Sequence, residues 1–375
     1  MRVVAWCAFG GLAVGTLLVA VSTVPKDVGA AGMQDWPPFV LVAGLLALGL
    51  VARDDGLFDA AGAGLASVAR GGMTLFVGAA LLVAVVTAVL NLDTAVAFLT
   101  PVLVAAARRR NTDEMPFLYL AVFMANGASL LLPGSNLTNL IVLGSSHQSG
   151  SHFARAMVLP WIAAVVAVAA VVGALWWRSL SVSGPRLRQP VQVRLGAGAS
   201  GIVLVVAAML LLPPDGEAAV AAAVGVLTVA WRLAQRGMTT QEVRRTVNLP
   251  VLAGLFVLAL DLGTLGRVWS WPAHLVSHAS AVVVAVVGAA ASVVVNNLPA
   301  ASLLAARPVA ESHALLVGLN LGPNLAVSGA LSAVIWLQAG RAAGASPSPW
   351  RYSAAGAVVV PVSMALALVA LVYAR

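Results

Sequence analysis

Two long apolar stretches of this chain, residues 73–107 and 281–306, are each interrupted midway by a short polar cluster, Asn91-Leu92-Asp93-Thr94 and Asn296-Asn297-Leu298-Pro299. About 20 apolar residues cross a bilayer in one pass, and polar groups halfway across are costly unless the chain turns there inside protein. Each stretch is therefore expected to be a hairpin that enters and leaves by one membrane face. Nine further apolar runs, at residues 4–21, 37–51, 116–144, 156–177, 197–212, 218–231, 251–266, 314–337 and 354–373, are bounded by charges or by Pro and Gly and fit full crossings. Composition agrees, with 61% of residues hydrophobic and only 9% charged, against about 25% charged in soluble domains. The expected fold is an all-α polytopic membrane protein of about 9 to 11 transmembrane helices, with two re-entrant hairpins and two broken helices in an inverted repeat. An ordinary soluble enzyme is excluded.

A net charge of +8 raises the question of a nucleic-acid partner. The map answers it. With the N-terminus in the cytoplasm, 16 of the 21 Lys and Arg residues fall on the cytoplasmic side, and only Lys26, Arg155, Arg267, Arg307 and Arg375 fall outside. That is the bias expected of membrane topology, and drawing the two interrupted stretches each as a single crossing would put the Arg108–Arg110 and Arg178–Arg194 loops on the face opposite Arg53 and Arg70. No nucleic acid is needed. The chain is expected in a cell inner or plasma membrane. Val28-Gly29-Ala30 resembles a signal-cleavage site, but the many later crossings allow the first helix to stay as an uncleaved anchor.

A shift of 194 residues superposes the order of elements, placing Asn126 on Asn320 and Ile141 on Ile335. The segments follow as an N-terminal anchor helix and loop (1–36), a first repeat (37–178), a connecting segment with two crossings (179–248) and an inverted second repeat (249–375). Inverted repeats with interrupted helices place substrate near the midplane. In the crossing at 116–144 stand Asn126-Gly127-Ala128-Ser129 and Pro133-Gly134-Ser135-Asn136-Leu137-Thr138-Asn139. The crossing at 314–337 carries Asn320-Leu321-Gly322-Pro323-Asn324 and Ser328-Gly329. Pro and Gly unwind a helix, and unwound backbone at membrane depth survives only inside protein or beside a wet cavity. Candidate substrate ligands are thus Asn91, Thr94, Ser135, Asn136, Thr138, Asn139, Asn296, Asn297, Asn320, Asn324 and Ser328. For each amide, helix-to-helix hydrogen bonding is the competing role.

Of 13 acidic residues, the map leaves only Asp93 and Asp261 in apolar surroundings. Asp93 fits an N-cap for the second hairpin arm, or a proton or sodium coupling site, and the two are compatible. Asp261 fits a hydrated residue at the outer interface.

These same residues carry a family resemblance. Val294-Val295-Asn296-Asn297-Leu298-Pro299-Ala300, Asn320-Leu321-Gly322-Pro323-Asn324-Leu325 and the run from Ser328 to Leu337 resemble second-repeat motifs of arsenite/antimonite efflux permeases. Ser135-Asn136-Leu137-Thr138-Asn139-Leu140, Phe153-Ala154-Arg155 and the helix ending at Trp176 resemble the first-repeat motifs. The resemblance runs from about residue 70 to the end and extends to the wider ion-transporter superfamily, which includes divalent-anion/sodium symporters and sodium/proton antiporters. Neither Ser-Asn-Thr triplet of the dicarboxylate branch is present. The resemblance implies a secondary transporter, not an enzyme, exporting arsenite or antimonite in exchange for protons. Carboxylate, other anion and sodium/proton transport are the alternatives. It implies protons or sodium as coupling ion and allows a soluble ATPase subunit and a homodimer.

No cofactor is expected. Lys26 is the only lysine, which excludes a phosphate-binding loop ending in Gly-Lys-Ser/Thr. Cys7, the only cysteine, excludes a multi-thiol arsenic site. His274 and His278 have the spacing of an intramembrane metalloprotease pair but no glutamate between them, so a membrane-embedded enzyme is the weakest alternative.

Overall fold

A computed structural model describes residues 15–144, 149–181, 196–212 and 214–374, and all regular secondary structure in them is helical. Six helical spans among the described residues are long and apolar enough to cross a membrane: Pro25–Asp54, Gly72–Val89, Gly150–Leu175, Gly216–Ala234, Thr240–Val268 and Pro349–Tyr373. The crossing expected at 4–21 lies largely outside the described residues, of which 15–23 are helical.

The next helix, α1 (Pro25–Asp54), is twice the length expected and runs straight through Pro37 and Pro38, both buried. Packing against later helices outweighs the local breaker signal there. One consequence corrects the reading of the acids. Asp35, placed in a loop by sequence, is inside α1 and 1% exposed, and Glu217 is 2% exposed, whereas Asp93 and Asp261 are only partly buried. Asp261 accepts a hydrogen bond from the Thr16 hydroxyl at 2.8 Å.

After α2 (Leu57–Val68) comes the first hairpin, α3 (Gly72–Val89) and α4 (Leu92–Arg109), whose arms pack together. The expected break in the next crossing is present. α5 (Met115–Ala128) ends, a 3₁₀ turn spans Pro133–Ser135, and α6 (Leu137–Gly144) resumes from extended backbone at Asn136. Then follow α7 (Gly150–Leu175), α8 (Trp177–Leu180), α9 (Ala197–Leu211), α10 (Pro214–Ala234), α11 (Thr240–Val247), α12 (Leu249–Val268) and α13 (Trp271–Ser277). The second hairpin is α14 (Ala281–Val295) with α15 (Asn297–Leu304). Its partner crossing breaks as α16 (Ser312–Leu321), 3₁₀ turns at Gly322–Leu325 and Val327–Gly329, and α17 (Leu331–Ala342), before α18 (Pro349–Tyr373).

Packing is reciprocal between the halves. The second arm of each hairpin lies against the resumed half of the other repeat's broken helix, α4 on α17 and α15 on α6, and the long helices α7 and α18 pack on each other. Close approach is built in by missing side chains: a Cβ on Gly356 of α18 would sit 1.8 Å from the Asn324 carbonyl oxygen. An aromatic cluster joins the halves too. Trp336 donates its indole N–H to the Leu118 carbonyl at 2.7 Å, and its ring lies 5.2 Å from Tyr119 and 5.3 Å from Tyr352. Such pairs add about 0.5–1.5 kcal/mol each beyond area burial.

The two ends of the bundle differ. At one end Arg232 pairs with Asp54 and Asp55. Here also Arg108, ion-paired with Glu114, donates to the Ala343 and Gly344 carbonyls. At the other end Arg267 donates to Gln34, whose amide donates to Ile141 of α6 at 2.7 Å and to Ala305, just past α15, at 3.1 Å. Arg307 donates to the Arg267 carbonyl. Arg53, Arg108 and Arg232 thus gather at one end and Arg267 and Arg307 at the other, in the partition expected from their predicted sides.

Candidate functional site

Each hairpin tip is a helix start with its own local logic. Asn91 is the N-cap of α4: its side-chain oxygen accepts the Thr94 N–H at 2.7 Å. Asp93 does not take that role, which corrects the N-cap reading of this carboxylate. The Asn91 amide nitrogen and the Thr94 hydroxyl are buried with no hydrogen-bond partner. At the second tip Asn296 has φ +80° and ψ 148° and accepts the Leu298 N–H at 3.4 Å. Its amide donates to the Ser328 carbonyl at 3.1 Å.

The tips and the two breaks surround one cavity of about 30 Å³. It is lined by Leu92 and Asp93, Asn136 and Leu137, Asn296 to Leu298, Ala330 to Ser332, and Leu255. The first four groups are the beginnings of α4, α6, α15 and α17. Four helix N-termini therefore converge on one small space, each bringing roughly half a positive charge. Among the described residues, the lining holds one carboxylate, three amides, one hydroxyl and no Lys, Arg or His. The volume suffices for about two ordered waters.

Of the candidates named from sequence, Asp93, Asn136, Asn296 and Asn297 line this cavity. Ser135, Thr138, Asn139, Asn320 and Asn324 are buried and hydrogen-bonded behind it, Asn91 and Thr94 are buried at the first tip, and Ser328 is exposed. The Asn320 side-chain oxygen Oδ1 accepts from the Asn136 amide, from the Thr138 hydroxyl at 3.1 Å and from the Ser129 hydroxyl at 3.3 Å. Its amide donates to Asn139 at 2.8 Å. Asn139 donates in turn to the Ser129 and Leu132 carbonyls. Asn126 mirrors this across the repeat, donating to Asn324 at 2.7 Å and accepting from Ser332 at 3.3 Å. Each broken helix thus ends its first half with an asparagine that reaches into the other break. Ser135 donates to the Ala88 carbonyl at 2.9 Å, pinning the first break to the hairpin arm α3. Ser328 donates to Val293.

Sequence reasoning missed Ser332 and the backbone of Ala330 and Leu331. A signal was available. The same 194-residue shift that superposes Asn126 on Asn320 places Asn136 on Ala330, Leu137 on Leu331 and Thr138 on Ser332. The histidine pair finds no metal constellation: no group of three or more His, Cys, Asp or Glu able to hold a metal occurs among the described residues.

Comparison with known proteins fits this architecture. The chain is 26% identical to the uncharacterized transporter Rv2684 of Mycobacterium tuberculosis over 374 residues, covering 89% of this chain and 85% of the relative. The same figures hold for the uncharacterized transporter Mb2703 of Mycobacterium bovis. A shorter match, 30% identical over 139 residues, links 36% of this chain to 22% of the uncharacterized transporter YfbS of Escherichia coli. In fold, the chain is similar to the crystal structure of the Alcanivorax borkumensis YdaH transporter, described as having an unusual topology. The TM-score is 0.57 at 16% identity, covering 95% of this chain and 88% of that one. The family model described as CitMHS, citrate transporter, matches residues 4–337. With most of its length matched, the chain belongs to the CitMHS citrate transporter family, whose members are multi-pass membrane transporters.

Proposed function

We propose that this chain is a cation-coupled secondary transporter that moves a carboxylate of the citrate type by alternating access. The observation that carries this reading is the convergence of α4, α6, α15 and α17 by their N-termini on one cavity. Helix starts favour anionic oxygens without any basic side chain, and paired half-helices at the midplane are how inverted-repeat transporters hold anionic groups. Asn136, Asn296, Asn297 and Ser332 supply hydrogen bonds to the substrate oxygens. Asp93 binds the coupling ion, a proton or sodium, because its negative charge opposes an anion until it is neutralised. Asn91 and Thr94 hold unpaired buried polar atoms at the same tip and complete the site when the tips part. Ser135, Thr138, Asn139, Asn320, Asn324 and Ser328 set the shape of the two breaks. The closed cavity is far too small for a tricarboxylate, so substrate enters by separation of the hairpin tips. Both hairpins are re-entrant, the arginine-rich end faces the cytoplasm, and the membrane is the cell's inner or plasma membrane. Neither a soluble ATPase nor a second copy of the chain is required for this cycle.

Export of arsenite or antimonite in exchange for protons is the second reading. It is favoured by the compactness of the cavity and by a carboxylate without a cationic partner in its lining. Trivalent arsenic in neutral water is an uncharged, compact triol that hydrogen bonds alone would hold.

One assay separates the two. The purified chain in liposomes is given a proton or sodium gradient with labelled citrate or arsenite, beside arsenite tolerance of cells lacking their own exporter. Gradient-dependent citrate movement supports the first reading. Arsenite efflux with no citrate movement replaces it with the second, and movement of neither overturns both.

A further inference from the structure

Helices α4 and α17, whose starts line the site, also pack on each other. Nearer the arginine-rich end, the same two helices open into a second cavity of about 380 Å³. One wall is a single face of α4, from Ala97 to Ala105, on the helix whose first turn carries Asp93, and the opposite wall is Ala339 and Ala342 of α17 with Ala343 just past its end. Arg53, at the end of α1, and Asp59, in α2, also line it. Two ionisable side chains on a cavity in a membrane protein mark it as water-filled rather than lipid-filled.

Phe98 also lines this cavity. Its ring stacks on Phe58 at 5.4 Å, and the Arg53 guanidinium lies 5.8 Å from its centroid. Phe98 is also tied to the tip. A Cβ on Gly49 of α1 would stand 2.3 Å from the Thr94 methyl and 3.2 Å from the Phe98 ring, so both side chains rest on the same bare patch of α1. A shift of the tip that carries Thr94 must carry Phe98, one turn further along α4.

We propose that this cavity is the vestibule by which solute reaches the four-helix site from the arginine-rich end, and that Arg53 is its selectivity residue, favouring anions. A guanidinium at the mouth of a cavity raises the local concentration of anions ahead of the site. Asp59 is the opposing charge in the lining. Arg108, whose guanidinium donates to Ala343 and Gly344 nearby, is already ion-paired with Glu114. The anion preference rests on the carboxylate reading above, whereas the vestibule itself does not.

The test uses the full chain with its only cysteine, Cys7, replaced by Ser. Single cysteines Ala97→Cys and Ala105→Cys are compared in sided membrane vesicles with Gln235→Cys, on a loop at the arginine-rich end, and Val166→Cys, on an apolar exposed face of α7. Anionic and cationic membrane-impermeant thiol reagents of matched size are applied. Both vestibule positions are expected to react from the same side as Gln235→Cys and much faster than Val166→Cys. The anionic-to-cationic rate ratio at Ala105→Cys should exceed that at Gln235→Cys. It should fall about fivefold with Arg53→Gln, the scale of one nearby charge, and be retained by Arg53→Lys. Reaction no faster than at Val166→Cys, or only from the opposite side, overturns the vestibule. A ratio unmoved by Arg53→Gln overturns the selectivity role. Because these reagents are not substrates, a failed citrate assay with a positive labelling pattern counts against the carboxylate reading and not against the vestibule.

Discussion

The two hairpins occupy equivalent places and are built differently. The first has arms of 18 and 18 residues, an asparagine cap with extended backbone and a carboxylate at its tip. The second has arms of 15 and 8 residues, a tip turned by left-handed backbone at Asn296 and amides alone. Both deliver a helix N-terminus to one cavity. The shared element is thus the electrostatics of a helix start, and the element that differs is the single charge. This division suggests coupling at the first tip and substrate recognition shared by both.

The largest effect should come from removing that charge. Asp93→Asn is expected to lower gradient-driven transport roughly 10- to 100-fold, the scale of a lost charge-assisted bond, while leaving solute exchange at equal gradients measurable. Asn297→Asp, which gives the second tip a carboxylate, should not rescue it. Unchanged pH or sodium dependence in Asp93→Asn would break the proposed division of labour.

A smaller effect separates the two breaks. The Asn320 side chain bonds four groups of the first repeat, whereas the Asn126 side chain bonds Asn324 and Ser332. Asn320→Ala should therefore destabilise more than Asn126→Ala, by about 1–2 kcal/mol against under about 1 kcal/mol, since single interhelical bonds in membranes are individually weak. Unfolding in mixed detergent reads the order, and equal losses would mean the network is not apportioned as its geometry shows.

Effects at the two tips should be small and should differ in origin. Asn91→Ala removes a cap worth about 1 kcal/mol. Asn296→Gly places glycine where φ +80° and ψ 148° favour it, offsetting its lost side-chain bonds, so stability should change by less than about 1 kcal/mol. A larger loss at Asn296 than at Asn91 would show that the second tip depends on its side chain and not on its turn.

Much of this was legible in sequence because membrane insertion imposes strong local rules. Hydropathy separated the spans, Pro133-Gly134 and Gly322-Pro323 marked the breaks, and the polar clusters marked both tips. The burial of Asp35 is a long-range feature. α1 continues through Pro37-Pro38 because later helices pack on it, which buries Asp35 in what hydropathy reads as a loop. Cap competition at Asn91-Leu92-Asp93 was also undecidable locally, since either side chain can accept an amide.

The family match changes the weight of the substrate argument. Similarity to arsenite permeases rested on short polar motifs, and such motifs serve a shared scaffold as much as a particular solute. Asn320 and Asn139 illustrate this: both sit in the most suggestive motifs and both are occupied with holding the two breaks together.

By itself, then, the sequence determined that this chain lives in a membrane and where it turns and breaks, because burial of apolar surface and exclusion of charge act residue by residue. Only the tertiary structure decided which polar side chains remain at the cavity. Asn136 and Asn320 are far apart in the chain yet share a hydrogen bond, and Asp93 meets Asn297 and Ser332 across one small space. Hydrogen-bond satisfaction is settled among neighbours in space, and no local pattern records which amide is used up by its partner and which is left for a ligand.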